Sequence, residues 1–402
     1  MSLKFQSPDE SGHENEDKVD EIQSRSQKKN KDTQIKKGNS RGSGRLMALD
    51  AVRGLAVIGM FIQHFAEKQW NGNIVSGNTT LLFVLCGGIS YSIMAQRMKE
   101  RGTDDSSFRA KMLARAVFVD VIGYLLIMLN TPYGIILPAY AAMFVLGLIL
   151  VGRSTRTLAT TAVSLTLLAP PLMILGQSAF LGSFLLADIA GGPMSSIALA
   201  PAFVAGMTIG RLDLTRKRVS LSLAFGGLVM VVIIKSLASK VLPELGRSFE
   251  TWLVSVQGVA AQPDQYAIWP LNVESPMWHM LLWTTPHSAS TFQTMAGLGV
   301  ALLVLGFAFL IPQKLNVLLR PFAAVGRVAL TMYAIQFVFV WILSLSGINY
   351  SYGEMPFGDL LVLIVTLILG WLISRLGTGP LESLMRYFDR LFSASPPKTN
   401  VS

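Results

Sequence analysis

Ten apolar runs, each close to twenty residues long, limit what this chain can fold into. They fall near residues 46–66, 74–96, 113–130, 133–151, 157–175, 195–211, 218–237, 291–311, 325–346 and 357–376. A helix of about twenty residues rises about 30 Å, which matches the hydrocarbon of a bilayer. Only 14% of the residues are charged, against 51% hydrophobic, where a soluble domain carries about 25% charged. The runs therefore predict an all-α, polytopic integral membrane protein with about ten transmembrane helices.

Charge placement predicts the orientation. Alternate connections carry the cations: "RMKERGTDDSSFRAKMLAR", "GRSTRT", "RLDLTRKR" and "PQKLNVLLRPFAAVGR", followed by a tail with Arg386, Arg390 and Lys398. The intervening connections "NTPY", "GQSAFLGSFLLADIAGG" and "SGINYSYGEMP" contain no Lys or Arg. Cytoplasmic loops hold the excess of Lys and Arg, so both termini are expected in the cytoplasm and the protein in the plasma membrane. Residues 1–45 lack any apolar run, are acidic first, and carry eight Lys or Arg against Asp32 between Arg25 and Arg45. That composition predicts a disordered cytoplasmic tail rather than a signal peptide. The net charge of +10 is distributed over the cationic connections rather than gathered in one patch, which argues against a nucleic-acid partner. Residues 377–402 read as a second cytoplasmic tail.

One outer connection, 238–290, is about fifty residues long and rich in aromatics: Trp252, Tyr266, Trp269, Trp278 and Trp283. Trp and Tyr concentrate at membrane interfaces, and loops of this length are commonly functional. A lipid-interface belt and a platform for a sugar or lipid acceptor both fit, with His279 belonging to the belt.

Within the first span, "LDAVRGLAVIGMFIQH", three residues resist burial in hydrocarbon: Asp50, Arg53 and His64. An arginine inside the membrane costs about 2.5–3.5 kcal/mol on insertion scales, so it must face protein or water. At 100° per residue, Arg53 and His64 share a helix face and stand about 16 Å apart along the axis. Asp50 can pair with Arg53 at i, i+3. A cytosolic donor with anionic phosphates and a long arm would suit this layout. Arg53 would hold its inner end, and His64 would meet the reactive end as a general base. Acyl-coenzyme A is such a donor. A purely structural Asp50–Arg53 pair with an interfacial histidine is the alternative.

Other chemistries lack their residues. The single cysteine, Cys86, excludes an intramolecular disulfide and Cys-based metal centres, and no resident metal is expected. Neither a phosphate-binding Gly-Lys loop nor a His-Glu-x-x-His site occurs.

The spacing Arg53-x10-His64 resembles the signature of acyltransferase-3 integral membrane proteins. Its context resembles more closely the heparan-alpha-glucosaminide N-acetyltransferase-like and YeiB-like (DUF418) proteins. The likeness rests on Arg45, Leu49, Asp50, Arg53 and Gly54, on the second-helix "LLFVLCGGISYSI", on Pro286-His287-Ser288, and on "VGRVALTMYAIQ" and "GPLESLMR". Thr80 stands where those relatives often have an acid. The resemblance implies that 46–376 is a transmembrane acyltransferase domain. It would move an acyl group, usually acetyl, from cytosolic acyl-coenzyme A as co-substrate to an extracytoplasmic glycan or glycolipid. His64 would be the catalytic base or transient acyl carrier, with His287 a second catalytic histidine supported by Ser288 and Asp50 supporting Arg53. Donor-binding cations would be Arg53, Arg327, Arg97 and Arg101, and Glu382 is expected to pair with Arg386. The rival reading is a secondary transporter or flippase for an envelope lipid or small solute.

Overall fold

The computed structural model describes residues 47–102, 104–180, 184–257 and 275–392. The tail 1–45 with His13, the loop aromatics Tyr266 and Trp269, and Lys398 lie outside the described residues. The helices belong to one compact unit beginning at Met47, and all regular structure among the described residues is helical.

In chain order the helices are α1 (Met47–Phe65), α2 (Gln69–Val75), α3 (Asn78–Glu100), α4 (Asp105–Ile127), α5 (Leu137–Leu150) and α6 (Thr155–Ala179). There follow α7 (Phe184–Ala190), α8 (Ser196–Gly210), α9 (Lys217–Lys240) and α10 (Leu242–Gln257). A 3₁₀ turn at Trp278–Leu282 leads to α11 (Thr291–Leu310), then α12 (Asn316–Arg327), α13 (Ala329–Leu345), α14 (Gly358–Arg375) and α15 (Pro380–Phe392).

Each of the ten apolar runs contains a helix, but length and apolarity together qualify fewer as spans. Among the described residues six helical segments are long and apolar enough to cross a membrane, and seven if α12 and α13 form one bent span. The helices α5 and α8 are apolar but only 14 and 15 residues long. The run at 325–346, read as one span, is broken: α12 and α13 meet at 66°.

The α3 helix forms the centre. The most apolar window of the segment Gln69–Glu100, which joins α2 and α3, is 83% buried, against 17% for that of α9 and 22% for that of α14, whose outward faces are stripes of Leu, Val, Ile and Phe. The α3–α8 crossing is close because it lacks side chains: a Cβ on Gly88 would strike the Phe203 carbonyl, and one on Gly206 the Leu85 carbonyl. Small residues permit such backbone approach where lipid supplies no hydrophobic drive. Around the crossing Leu85, Ile89, Phe203 and Met207 are fully buried.

The long connection 238–290 is partly helical. The α9 helix continues to Lys240, and α10 then runs from Leu242 with Trp252 and Val256 exposed. His279 in the 3₁₀ turn is buried, with its ring edge against Trp283 and Glu250 3.9 Å away. It thus sits among the aromatics of this connection.

Candidate functional site

The two ends of α1 hold different chemistry. Near its amino end, Arg53 reaches three helices. One guanidinium nitrogen donates to Asp50 Oδ1 at 3.1 Å and to the Gly326 carbonyl at 3.4 Å, and the other donates to Ser90 Oγ at 2.5 Å. Ser90 in turn donates to the Cys86 carbonyl at 2.7 Å. Asp50 feels the charge of Arg327 as well as that of Arg53.

Glycine makes this arrangement possible. A Cβ on Gly54 would strike the Phe322 carbonyl, and a Cβ on Gly326 the Asp50 carbonyl. The α1 and α12 backbones therefore touch, which brings Arg53 to the carbonyl of Gly326. Sequence reasoning found the Asp50–Arg53 pair but could not see that Arg53 also ties α1 to α3 and α12. Its side chain keeps 21% exposure, and Arg327 beside it is exposed. Arg97 and Arg101 are exposed at the end of α3 and line none of the cavities described below.

At the other end of α1, His64 and His287 line one cavity of about 210 Å³ together with Gln63, Thr80, Tyr133 and Tyr333. The His64 ring stacks on Tyr133 at 3.9 Å and meets Phe337 edge-on at 5.6 Å. The Tyr133 hydroxyl donates to the His64 carbonyl at 2.7 Å, so one tyrosine holds both the ring and the backbone. His64 Nδ1 is buried without a hydrogen-bond partner among the described residues.

The Gln63 amide nitrogen donates to Nε2 of His287 at 2.8 Å. A neutral ring accepting at Nε2 carries its proton on Nδ1. Burial lowers the His287 pKa, while the Glu67 carboxylate nearby acts to raise it. The segment carrying His287 is strained, with φ of +60° at His287 and +49° at Ala289. Left-handed non-glycine residues gather at functional sites because the surroundings must hold them. Here Gly77, at φ +73°, leaves room: a Cβ on it would lie 3.2 Å from the His287 amide. Ser290 rather than Ser288 caps α11, accepting from the Gln293 amide at 3.1 Å. Ser288 Oγ is buried and has no hydrogen-bond partner among the described residues.

Glu382 does something other than the expected pairing with Arg386. Its Oε1 accepts from the amides of Leu330 at 2.8 Å and Thr331 at 3.1 Å, and its Oε2 accepts from the Thr331 hydroxyl at 2.5 Å. A carboxylate from α15 therefore caps α13 where the helix breaks. Nearby, Arg115 pairs with Asp389 at 2.7 Å and fixes α15 to α4.

A second and larger cavity, of about 670 Å³, lies between the ends of α3, α4, α5 and α8 and is lined by Lys99, Arg109, Arg153 and Arg211.

Among known proteins, a family model described as "Protein of unknown function (DUF418)" matches residues 243–391, consistent with the likeness to YeiB-like proteins. The match contains His287, Arg327 and Glu382 and leaves out α1 with Arg53 and His64. No curated protein and no solved structure matches the chain.

Proposed function

We propose that the chain is an integral membrane acyltransferase. It moves an acyl group, acetyl first, from cytosolic acyl-coenzyme A to a hydroxyl or amine of an extracytoplasmic envelope glycan or glycolipid. The observation that supports it most is the meeting of His64 and His287, from distant parts of the chain, in one cavity at the opposite end of α1 from Arg53. In this reading the protein spans the plasma membrane ten times with both termini in the cytoplasm, α5 and α8 being short spans. The Arg53–Asp50–Arg327 group then lies toward the cytoplasm and the histidine cavity toward the outside.

In the reaction, Arg53 and Arg327 hold the donor's anionic end. His64 removes the proton from the acceptor hydroxyl or amine as that atom attacks the thioester carbonyl carbon. The carbon–sulfur bond then breaks, and coenzyme A leaves as a thiolate that takes up a proton. His287, with its tautomer set by Gln63, orients the acceptor. If His64 carries the acyl group transiently, the same atoms move in two transfers. Neither route calls for a metal.

The transporter reading has one observation in its favour, the break between α12 and α13, since broken helices offer free helix ends to substrates. Glu382 weighs against it. The first amides of α13 are already bonded to a carboxylate of the chain, leaving no anion site there.

The test is purified protein in detergent with radiolabelled acetyl-coenzyme A, comparing wild type, His64→Ala and Arg327→Gln. The enzyme reading expects saturable binding that is weakened by Arg327→Gln and kept by His64→Ala, with coenzyme A release lost in His64→Ala. Label retained on wild type but absent from His64→Ala would identify the two-transfer route. Absence of binding at micromolar donor would defeat the proposal.

A further inference from the structure

The large basic cleft at the ends of α3, α4, α5 and α8 has no part in the scheme above. Four of its side chains are cationic (Lys99, Arg109, Arg153, Arg211) and one is anionic (Asp105), so positive charge prevails in the lining. Arg211 is committed to structure: it donates to the carbonyls of Val151, at 2.6 Å, and of Arg153. It thereby neutralises the negative carboxyl end of α5, which would otherwise repel an anion. Lys99, Arg109 and Arg153 make no ion pair among the described residues. The amino end of α4 also borders the cleft through Asp105 and Phe108, and the side chain of Asp104, which precedes that helix, makes no cap hydrogen bond to it among the described residues.

The surface leading away from the cleft is apolar. Along α4, Arg109 is followed at four-residue steps by Leu113, Val117, Val121 and Leu125, all exposed. At 100° per residue each four-residue step turns by about 40°, so the row winds about 120° around α4 between Leu113 and Leu125. From Leu113 to Leu125 this stripe runs about 18 Å, close to the ~15 Å of one leaflet's hydrocarbon. On α5, Ile149 both lines the cleft and is exposed, with exposed Val145 one turn away.

A cationic cup at the head of a leaflet-length apolar track has the form of a phospholipid. We propose that this cleft binds the phosphates of an anionic, two-phosphate phospholipid of the diphosphatidylglycerol class, with Arg109, Arg153 and Lys99 on the headgroup and an acyl chain along Leu113–Leu125. Basic pockets between membrane helices are suited to such headgroups. The proposal needs only that the protein is embedded in a membrane and does not rest on acyl transfer.

The experiment measures thermal unfolding of the full chain in neutral detergent during titration with diphosphatidylglycerol or phosphatidylcholine, and separately with pyrophosphate and ADP. The expected result is a saturable rise of several degrees with diphosphatidylglycerol alone, because a ligand of the native state raises its stability. That rise should fall with added salt in the wild type. It should shrink by more than half in Arg109→Gln/Arg153→Gln and stay whole in Arg386→Gln/Arg390→Gln, which removes two exposed cations from α15. An equal rise with phosphatidylcholine, or equal loss in both double variants, would overturn the site. A rise with pyrophosphate or ADP that displaces the lipid would assign the cleft to a soluble anion and overturn the lipid assignment. The salt dependence is read on the wild type, so the proposal stays testable even if a variant folds poorly.

Discussion

Gln63 donates to Nε2 of His287 at 2.8 Å across a separation of 224 residues, and this bond fixes which ring nitrogen of His287 can give a proton. Gln63→Leu should leave a half-buried ring nitrogen without this donor, at a cost of about 1 kcal/mol, seen as a lower melting temperature. Gln63→Glu replaces the donor by an acceptor that is anionic at neutral pH. A neighbouring carboxylate favours the charged imidazolium, so the apparent His287 pKa should rise in nuclear magnetic resonance titrations of labelled histidine. A fall, or no change, would show that the contact does not govern the ring.

His287 also makes a prediction about pH. Burial holds its folded-state pKa below the ordinary value of 6.5, with Glu67 in partial opposition. The unfolded chain therefore binds more protons than the folded chain in the window below 6.5. The stabilising contribution is intact above 6.5 and is lost as pH falls from there through the folded-state pKa. Melting temperatures of wild type and His287→Gln, taken from pH 7.5 to 5, should converge on the acid side. A constant gap between the two curves would mean that His287 does not titrate differently on folding.

The glycine notch predicts a structural lesion at the other end of α1. In Gly326→Ala the new methyl group meets the Asp50 carbonyl, and backbone cannot move aside as a flexible side chain would. Overpacking costs about 1–3 kcal/mol in ordinary cores, and this contact should reach the top of that range. The separation of α1 and α12 should also free Arg53 from the Gly326 carbonyl. Gly226→Ala in α9 is the control, because a Cβ there meets nothing within 4 Å and alanine is the better helix former. Thermal unfolding should therefore show a clear loss in Gly326→Ala and none in Gly226→Ala. A melting temperature equal to wild type in Gly326→Ala would refute the notch.

Some of this was legible in the chain and some was not, for physical reasons. Helical periodicity relates residues on one helix, so the shared face of Arg53 and His64 and the Asp50–Arg53 pair could be read directly. Meetings between distant segments leave no periodic trace: His287 with Gln63, Gly54 with Gly326 and Glu382 with the α13 amides all required the fold. The Gly-Arg of "VGRVAL" looked like the start of a span, whereas the helix breaks there. Positive charge marked the basic end correctly as a place of many cations. It could not tell Arg97 and Arg101 from Lys99 and Arg109, which line the cleft, because all four are exposed cations and only the packing of α3, α4, α5 and α8 decides which of them face it.

The break itself supplies the last prediction. The amides of Leu330 and Thr331 begin α13 without partners in their own helix, and Glu382 receives both. A helix end buried without a partner is costly, so Glu382 stands in for the missing turn. Glu382→Gln keeps one carbonyl oxygen that can accept from both amides but loses the charge that favours a helix amino end. Its expected cost is under about 1 kcal/mol. Glu382→Ala leaves two amides and the Thr331 hydroxyl without that partner, with an expected cost of about 2–4 kcal/mol from lost charge-assisted bonds. Hydrogen exchange should show the same order, with faster exchange confined to the first turn of α13 in Glu382→Gln and spread into α15 in Glu382→Ala. Equal stability of the two variants would mean that water replaces the carboxylate and that the cap contributes nothing to holding the bend.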